Sequence, residues 1–150
     1  MEFRVVAYDS AVASELIEEV QQEYVVRYGG PDDSPVDPAQ FAPPEGLFLV
    51  GYDDGAAVVC AGWRSHGTDA EIKRMYVRKT ARGRGFARAM LAELERTALA
   101  AGHDRMILET GSKQPEAVAL YRSAGYADSP PFGHYASAPL AVHLGKDLHP

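Results

Sequence analysis

Residues 78–91 read RKTARGRGFARAML, a basic stretch with two glycines one residue apart that turns at once into a helical pattern. The stretch follows a strand-like run, AEIKRMYV (70–77). Few segments restrict a chain more, because bare backbone, positive charge and a helix start coincide at one place. The first turn of a helix leaves its amides without partners, and the helix dipole favours an anion beside them. Gly83 and Gly85 lack the Cβ that would keep a phosphate away, and Arg82 and Arg84 add charge. A Walker A loop needs Gly-Lys-Ser/Thr after its last glycine, whereas Phe86 and Ala87 follow here. A dinucleotide loop wants a third glycine where Arg88 stands, inside a βαβ unit near the chain start, and an antiparallel hairpin precedes this strand instead.

The remaining elements follow from periodicity. FRVVAY (3–8) reads as a strand, and Ser10 caps a helix with Val12, Leu16, Val20 and Tyr24 on one face, stopping at Gly29-Gly30. Residues 29–46 hold five of the ten prolines, which predicts a long connection with one helical turn at 38–42. LFLVGY and AAVVCAGWR are strands joined by the hairpin signal Asp53-Asp54-Gly55. The helix over 84–101 carries Phe86, Met90, Leu94 and Ala98 on one face and stops at Gly102. DRMILET (104–110) is an apolar strand, and Pro115 opens a helix with Ala117, Leu120, Tyr121 and Ala124 as its stripe. GHY (133–135) and PLAVHLGKDL (139–148) suggest one or two closing strands. The order is that of one mixed α/β domain over residues 1–150, a central sheet flanked by helices.

Charge is unevenly spread. Residues 1–54 hold twelve acids against Arg4 and Arg27, whereas seven of the fifteen basic residues fall between Lys73 and Arg88 with no acid among them. An anion would gather at the second region and a cation at the first. Cys60 is the single cysteine, in an apolar strand, so it reads as a small buried residue in a protein of the reducing cytoplasm. No apolar run approaches the ~20 residues that span a bilayer, and no metal-ligand spacing occurs. A basic stretch whose aromatics are Tyr76 and Phe86, in a chain of pI about 5.3, argues against nucleic acid.

VRKTARGRGFARAML resembles motif A of the Gcn5-related N-acetyltransferases (GNAT), whose Q/R-x-x-G-x-G/A loop binds the pyrophosphate of acetyl-coenzyme A. Residues Thr80 to Gly85 carry that loop, with Thr80 at the Gln/Arg position. LETGSKQPEAVALYRSAGY (108–126) resembles motif B, N-x-x-A-x-x-L-Y-x-x-x-G-F/Y. Gln114 stands at the Asn position, and Ala117, Leu120, Tyr121, Gly125 and Tyr126 match. The resemblance covers the chain from about residue 47 to its end.

This resemblance implies a GNAT-like acyltransferase fold and direct attack of an amine on the thioester of acetyl-coenzyme A. Backbone contacts from Arg82, Gly83, Arg84, Gly85, Phe86 and Ala87, with Gln114, would hold the cofactor. A bulge in the preceding strand would free an amide at or beside Val77 for the thioester oxygen. Glu71 occupies the position from which several family members deprotonate their acceptor, although it also suits an ion pair with Arg64 or Lys73. His66 and His134 are the fallback bases. Tyr121 stands at the position of the family's general acid, on an apolar stripe that equally suits a core tyrosine. Tyr24, Tyr28, Trp63, Arg64 and the loop 29–46 come from the part of the fold that closes over substrate. Arg64 would suit an acceptor carboxylate and the acidic N-terminal half a polyamine, and both remain open.

The expected activity is therefore N-acetylation of a primary amine on a small molecule or peptide, with a homodimer left open. The competing class is a non-catalytic acyl-coenzyme A sensor. The chemistry to be served is demanding. A lysine-like amine lies ~3.4 pH units above neutrality, so its free base costs about 4.6 kcal/mol to populate.

Overall fold

The computed structural model describes residues 1–149. Strand β1 (Glu2–Val5) is shorter than its apolar pattern suggests. The chain turns at Ala7–Ser10, and the Tyr8 ring leaves the strand to stack on Phe41 with centroids 4.9 Å apart. Ser10 then caps helix α1 (Ala11–Tyr28), its side-chain oxygen accepting from the Ala13 amide. Ala13, Leu16 and Val20 form the buried stripe of α1, and Gly29 closes it by donating its N–H to the Val25 carbonyl.

The proline-rich connection carries one 3-10 turn, Pro38–Phe41, which seats Phe41 in the core. Strands β2 (Gly46–Asp53) and β3 (Ala56–His66) form the expected hairpin, and β4 (Asp69–Val77) pairs back on β3. Helix α2 (Phe86–Ala100), strand β5 (Arg105–Gly111), helix α3 (Pro115–Ser123), the two-residue β6 (Ala127–Asp128) and β7 (Ala141–Asp147) complete the order. GHY (133–135) is not a strand. It lies in the loop between β6 and β7, where Tyr135 and His134 bond to the Asp33 carboxylate instead.

The seven strands form one mixed sheet in the order β1-β2-β3-β4-β5-β7-β6, antiparallel except between β4 and β5. A parallel pair needs a crossover, which α2 provides. The α2 side of the sheet buries Met90, Leu91 and Leu94 with Trp63, Ile72, Leu108 and the rings of Tyr121 and Tyr126. The other face packs Leu16 and Val20 of α1 against Phe41, Phe48, Val50 and Tyr76. Each fully buried leucine contributes about 1.5–3 kcal/mol, so these two layers hold the sheet rigid behind the site.

Two departures from regular pairing shape that site. Strand β4 pairs with β5 only from Asp69↔Arg105 to Ile72↔Leu108, and beyond that point the strands part into a fork. On its other edge, Gly62 pairs with Lys73 and Cys60 with Tyr76, so Arg74 and Met75 together face Ala61. This two-against-one arrangement is a β-bulge, and Arg74 accommodates it with a left-handed φ of 61°.

Candidate active site

The fork between β4 and β5 opens into a cavity of about 880 Å³. Its walls are β4 from Ile72 to Val77, the loop and first turn of α2, the end of β5, one face of α3 and the C-terminal turn of α1. Ligand pockets of ordinary size lie in this range.

At one end lies the loop 78–85, the segment where an anion site is expected. A short 3-10 turn, Lys79–Ala81, plugs Ala81 into the core, and Gly83 and Gly85 then adopt φ of 79° and 83°. Side chains rarely tolerate that conformation, so both glycines are there for the backbone path. A Cβ at either position would meet nothing within 4 Å, which leaves the space before these amides open. Among the described residues, the amides of residues 82–87 find no acceptor in the chain. An open row of donors at the start of a 15-residue helix fits a pyrophosphate.

The expected cofactor residues Val77, Arg82, Gly83, Gly85, Phe86, Ala87 and Gln114 all line the cavity, as do Tyr28 and Tyr121. Arg84 does not. Its guanidinium turns outward over the Phe86 ring and bonds Asp53 at 2.7 Å. Arg82 spans the loop, with its Nε donating to the Val77 carbonyl at 3.0 Å and its other end paired to Glu23. The bulge lies at Arg74–Met75, earlier than expected, and Val77 itself pairs with Val59. Beyond Ile72, the edge of β4 that faces β5 has no strand to bond, so amides on that edge reach the cavity without partners.

Tyr121 is buried with its ring edge-on to Tyr126, 5.8 Å between centroids. Burial pushes its phenol well above the ordinary value, so the hydroxyl holds its proton. Tyr28 lies across Gly111, where any Cβ would collide with its hydroxyl, and donates to the Gln114 side chain at 3.3 Å. Arg27 beside it bonds the Lys113 carbonyl and Glu116, so the end of α1 is tied down to the start of α3.

Glu71, Trp63 and Arg64 are placed elsewhere. Glu71 sits where β4 and β5 are still paired, and its carboxylate accepts from Arg64 Nε at 2.9 Å in a cross-strand pair, the two side chains 9% and 14% exposed. Arg64 also donates to the Pro35 carbonyl and Gln40, which pins the proline-rich connection to the sheet. Trp63 faces α2 and donates its indole N–H to Thr97. His66 packs against Phe132, and His134 is engaged by Asp33. None of these five lines the cavity.

Four polar residues that the sequence reading passed over occupy the other end of the fork. Lys73 Nζ donates to Asp32 Oδ2 at 3.2 Å and to Ser34 Oγ at 2.6 Å. Arg74 Nη1 reaches the same Asp32 oxygen at 2.5 Å, and its Nε donates to the Tyr8 hydroxyl. Gln21 of α1 holds the Asp32 backbone by both its N–H and its carbonyl. Burial works against ionisation of Asp32, but Lys73 and Arg74 outweigh it and hold the carboxyl well below the usual range.

The fourth residue is Glu109, one step past the last paired position of β5 and facing the fork. Burial, aided by the nearby Asp32 and Glu71 and opposed by Lys73, raises its carboxyl from an ordinary 4.5 to about 7. Among the described residues its side chain has no hydrogen-bond partner. An acid inside the apolar run MILET was the available signal. Cys60 is inert: its thiol is buried, pushed up in pKa, and donates to the Arg74 carbonyl at 3.2 Å.

Comparison with known proteins agrees with this geometry. Residues 14–126 match the acetyltransferase (GNAT) family. The chain is 38% identical over 136 residues to an IAA acetyltransferase of Azospirillum brasilense, covering 89% of each. Among solved structures, it superposes with a TM-score of 0.80 on a protein of Klebsiella pneumoniae described as an acyl-CoA N-acyltransferase. That pair is 28% identical, over 99% of this chain and 97% of the other. An aminoglycoside 6'-N-acetyltransferase complexed with coenzyme A shares the fold at a TM-score of 0.74 and 13% identity, covering 100% and 98%.

Proposed function

The chain belongs to the GNAT family of acetyltransferases, and on that premise we propose that it acetylates a primary amine on a small molecule or peptide by direct attack within a ternary complex. The observation that carries this reading is the unpaired row of amides at 82–87, opening on the same cavity as Tyr121 and Glu109. Acetyl-coenzyme A, the cofactor of this family, supplies the thioester carbon that the amine attacks and a thiolate leaving group.

The residues of the chain divide the remaining work. The amides of residues 82–87 and the Gln114 side chain bind and aim the cofactor, and the unpaired β4 edge offers N–H donors toward the acyl end. Glu109 accepts the ammonium proton of the acceptor. With a carboxyl near 7, about half of it is ionised at neutral pH, where a general base works best. We assign the base to Glu109 rather than Glu71, because the Arg64 pair occupies Glu71 away from the cavity. Tyr121 stays protonated to high pH, so its hydroxyl is available to donate a hydrogen bond to the departing thiolate as charge develops there, although burial makes full proton transfer harder. The tied C-terminal turn of α1 covers the fork and limits water.

The test is free-thiol release from acetyl-coenzyme A with amino acids, polyamines, aminoglycosides and peptide N-termini as acceptors. Amine-dependent release supports transfer. Tight cofactor binding without release by any amine would favour a non-catalytic sensor.

A further inference from the structure

We propose that the acceptor of this site carries a carboxylate next to its amine, as an α-amino acid does, and that Lys73 and Arg74 bind that carboxylate; the inference rests on the acetyl-transfer reading above. Consecutive strand residues normally point to opposite faces. The bulge and the left-handed Arg74 break this rule, so that both side chains line one cavity and grip one carboxylate. Both side chains are deeply buried, 8% and 3% exposed, so each charge needs partners within the fork.

Donor capacity exceeds supply. Asp32 is fully engaged, with Oδ1 taking the Ser34 amide and Oδ2 taking both cations. Lys73 spends a second N–H on Ser34, and Arg74 spends its Nε on Tyr8. That leaves Arg74 Nη2 and one ammonium N–H of Lys73 with no acceptor among the described residues. It also leaves two buried positive charges facing one committed negative charge. Neighbouring acids correct the balance only in part: Asp33 is taken by His134 and Tyr135 and Glu71 by Arg64, while Glu109, which faces Lys73, is about half ionised at neutral pH and loses its charge on accepting the amine proton. An incoming carboxylate supplies both the missing acceptor atoms and the missing charge.

Glu109 sets where the amine must lie. Lys73 and Glu109 each follow the last registered pair, Ile72↔Leu108, so they face each other across the opening of the fork. Strands there start about 4.8 Å apart, a span that fits an amine and a carboxylate on the same or adjacent carbons. A polyamine would instead bring a second cation against Lys73 and Arg74.

The experiment compares matched acceptors on the wild-type enzyme: several L-amino acids, their carboxamides, and the amines that lack the carboxylate. Acetylation is read as thiol release, and binding to the enzyme–coenzyme A complex by calorimetry. The expected result is a kcat/KM at least about 30-fold higher for the amino acid than for either analogue, with a matching loss in affinity. The carboxamide has the less basic amine, so intrinsic chemistry favours it and the comparison is conservative. Lys73→Gln and Arg74→Lys should each shrink the ratio by about tenfold. Turnover of analogues equal to or faster than the amino acids overturns this inference and leaves acetyl transfer standing. Cofactor binding with no amine turned over overturns acetyl transfer, and this inference with it.

Discussion

Replacing Glu109 by glutamine should make the protein more stable and less active, and both effects should depend on pH. The folded carboxyl titrates near 7 against an ordinary 4.5. Below about pH 4 the group is protonated in the folded and unfolded chains alike, so folding costs nothing on its account. Between 4.5 and 7 the unfolded chain ionises first, and stability falls as pH rises. Above 7 the full difference is present; at 1.36 kcal/mol per pH unit it amounts to about 3 kcal/mol. Glu109→Gln cannot ionise, so its advantage in urea melts should grow from near zero at pH 4 to about 3 kcal/mol at pH 8. The same variant should lose roughly 10²–10⁴-fold in kcat/KM, together with the rise in rate through an apparent pKa near 7. Stability gained only at high pH, with that inflection lost, is a signature that mere packing damage does not give. A variant that keeps both the inflection and the rate would refute Glu109 as base; a stability difference from wild type that is the same at pH 4 and pH 8 would refute its buried, elevated carboxyl.

Gly83→Val and Gly85→Val should each weaken acetyl-coenzyme A binding tenfold or more (~1.4 kcal/mol). The positive φ adds a folding cost of about 1–2 kcal/mol, so circular dichroism must accompany the titration. Unchanged affinity in a folded variant would remove the phosphate assignment. Tyr121→Phe should lower kcat while leaving cofactor affinity nearly unchanged; the opposite pattern would make it a packing residue. Glu71→Gln removes the charge that Arg64 neutralises and should cost about 1–3 kcal/mol in urea denaturation. Its pH–rate profile should keep the wild-type inflection, and loss of that inflection would return the base to Glu71.

What was legible in the chain was what is local. Ser10 and Gly29 bound α1 by capping alone, and Asp54-Gly55 turns the hairpin because both residues take positive φ. Gly83 and Gly85 mark the proposed anion site for the same reason, since the backbone path and the exposed amides belong to one short segment. The proposed base, Glu109, was illegible because the case for it depends on where two strands stop pairing. Glu71 and Glu109 lie near each other on neighbouring strands, but Glu71 is registered with Ile107 inside the paired stretch, and Glu109 lies past Leu108 where the strands have parted. No periodicity within either strand marks that point. Trp63 and Arg64, expected near the substrate, lie outside the cavity for a related reason: Thr97 and Glu71 bond them from α2 and the neighbouring strand.

The bulge had a partial signature, the poor alternation of AEIKRMYV, and its consequence reaches further than a freed amide. A regular β4 would direct Lys73 and Arg74 to opposite faces, one into the fork and the other toward β3's far side. Inserting one residue at Arg74–Met75 turns both cations to the same carboxylate, while Cys60 on the opposing strand bonds the displaced Arg74 carbonyl. A non-glycine residue at φ 61° costs of order 1 kcal/mol, so Arg74→Gly would relieve strain at this point while deleting the guanidinium. If the bulge exists to aim charge, Arg74→Gly, whose lost Asp32 pair lowers stability but leaves Asp32 bonded to Lys73 and the Ser34 amide, should stay folded by circular dichroism and lose discrimination between acceptors. If it exists only to free backbone amides, Arg74→Gly should keep that discrimination, and the comparison separates the two roles of a single inserted residue.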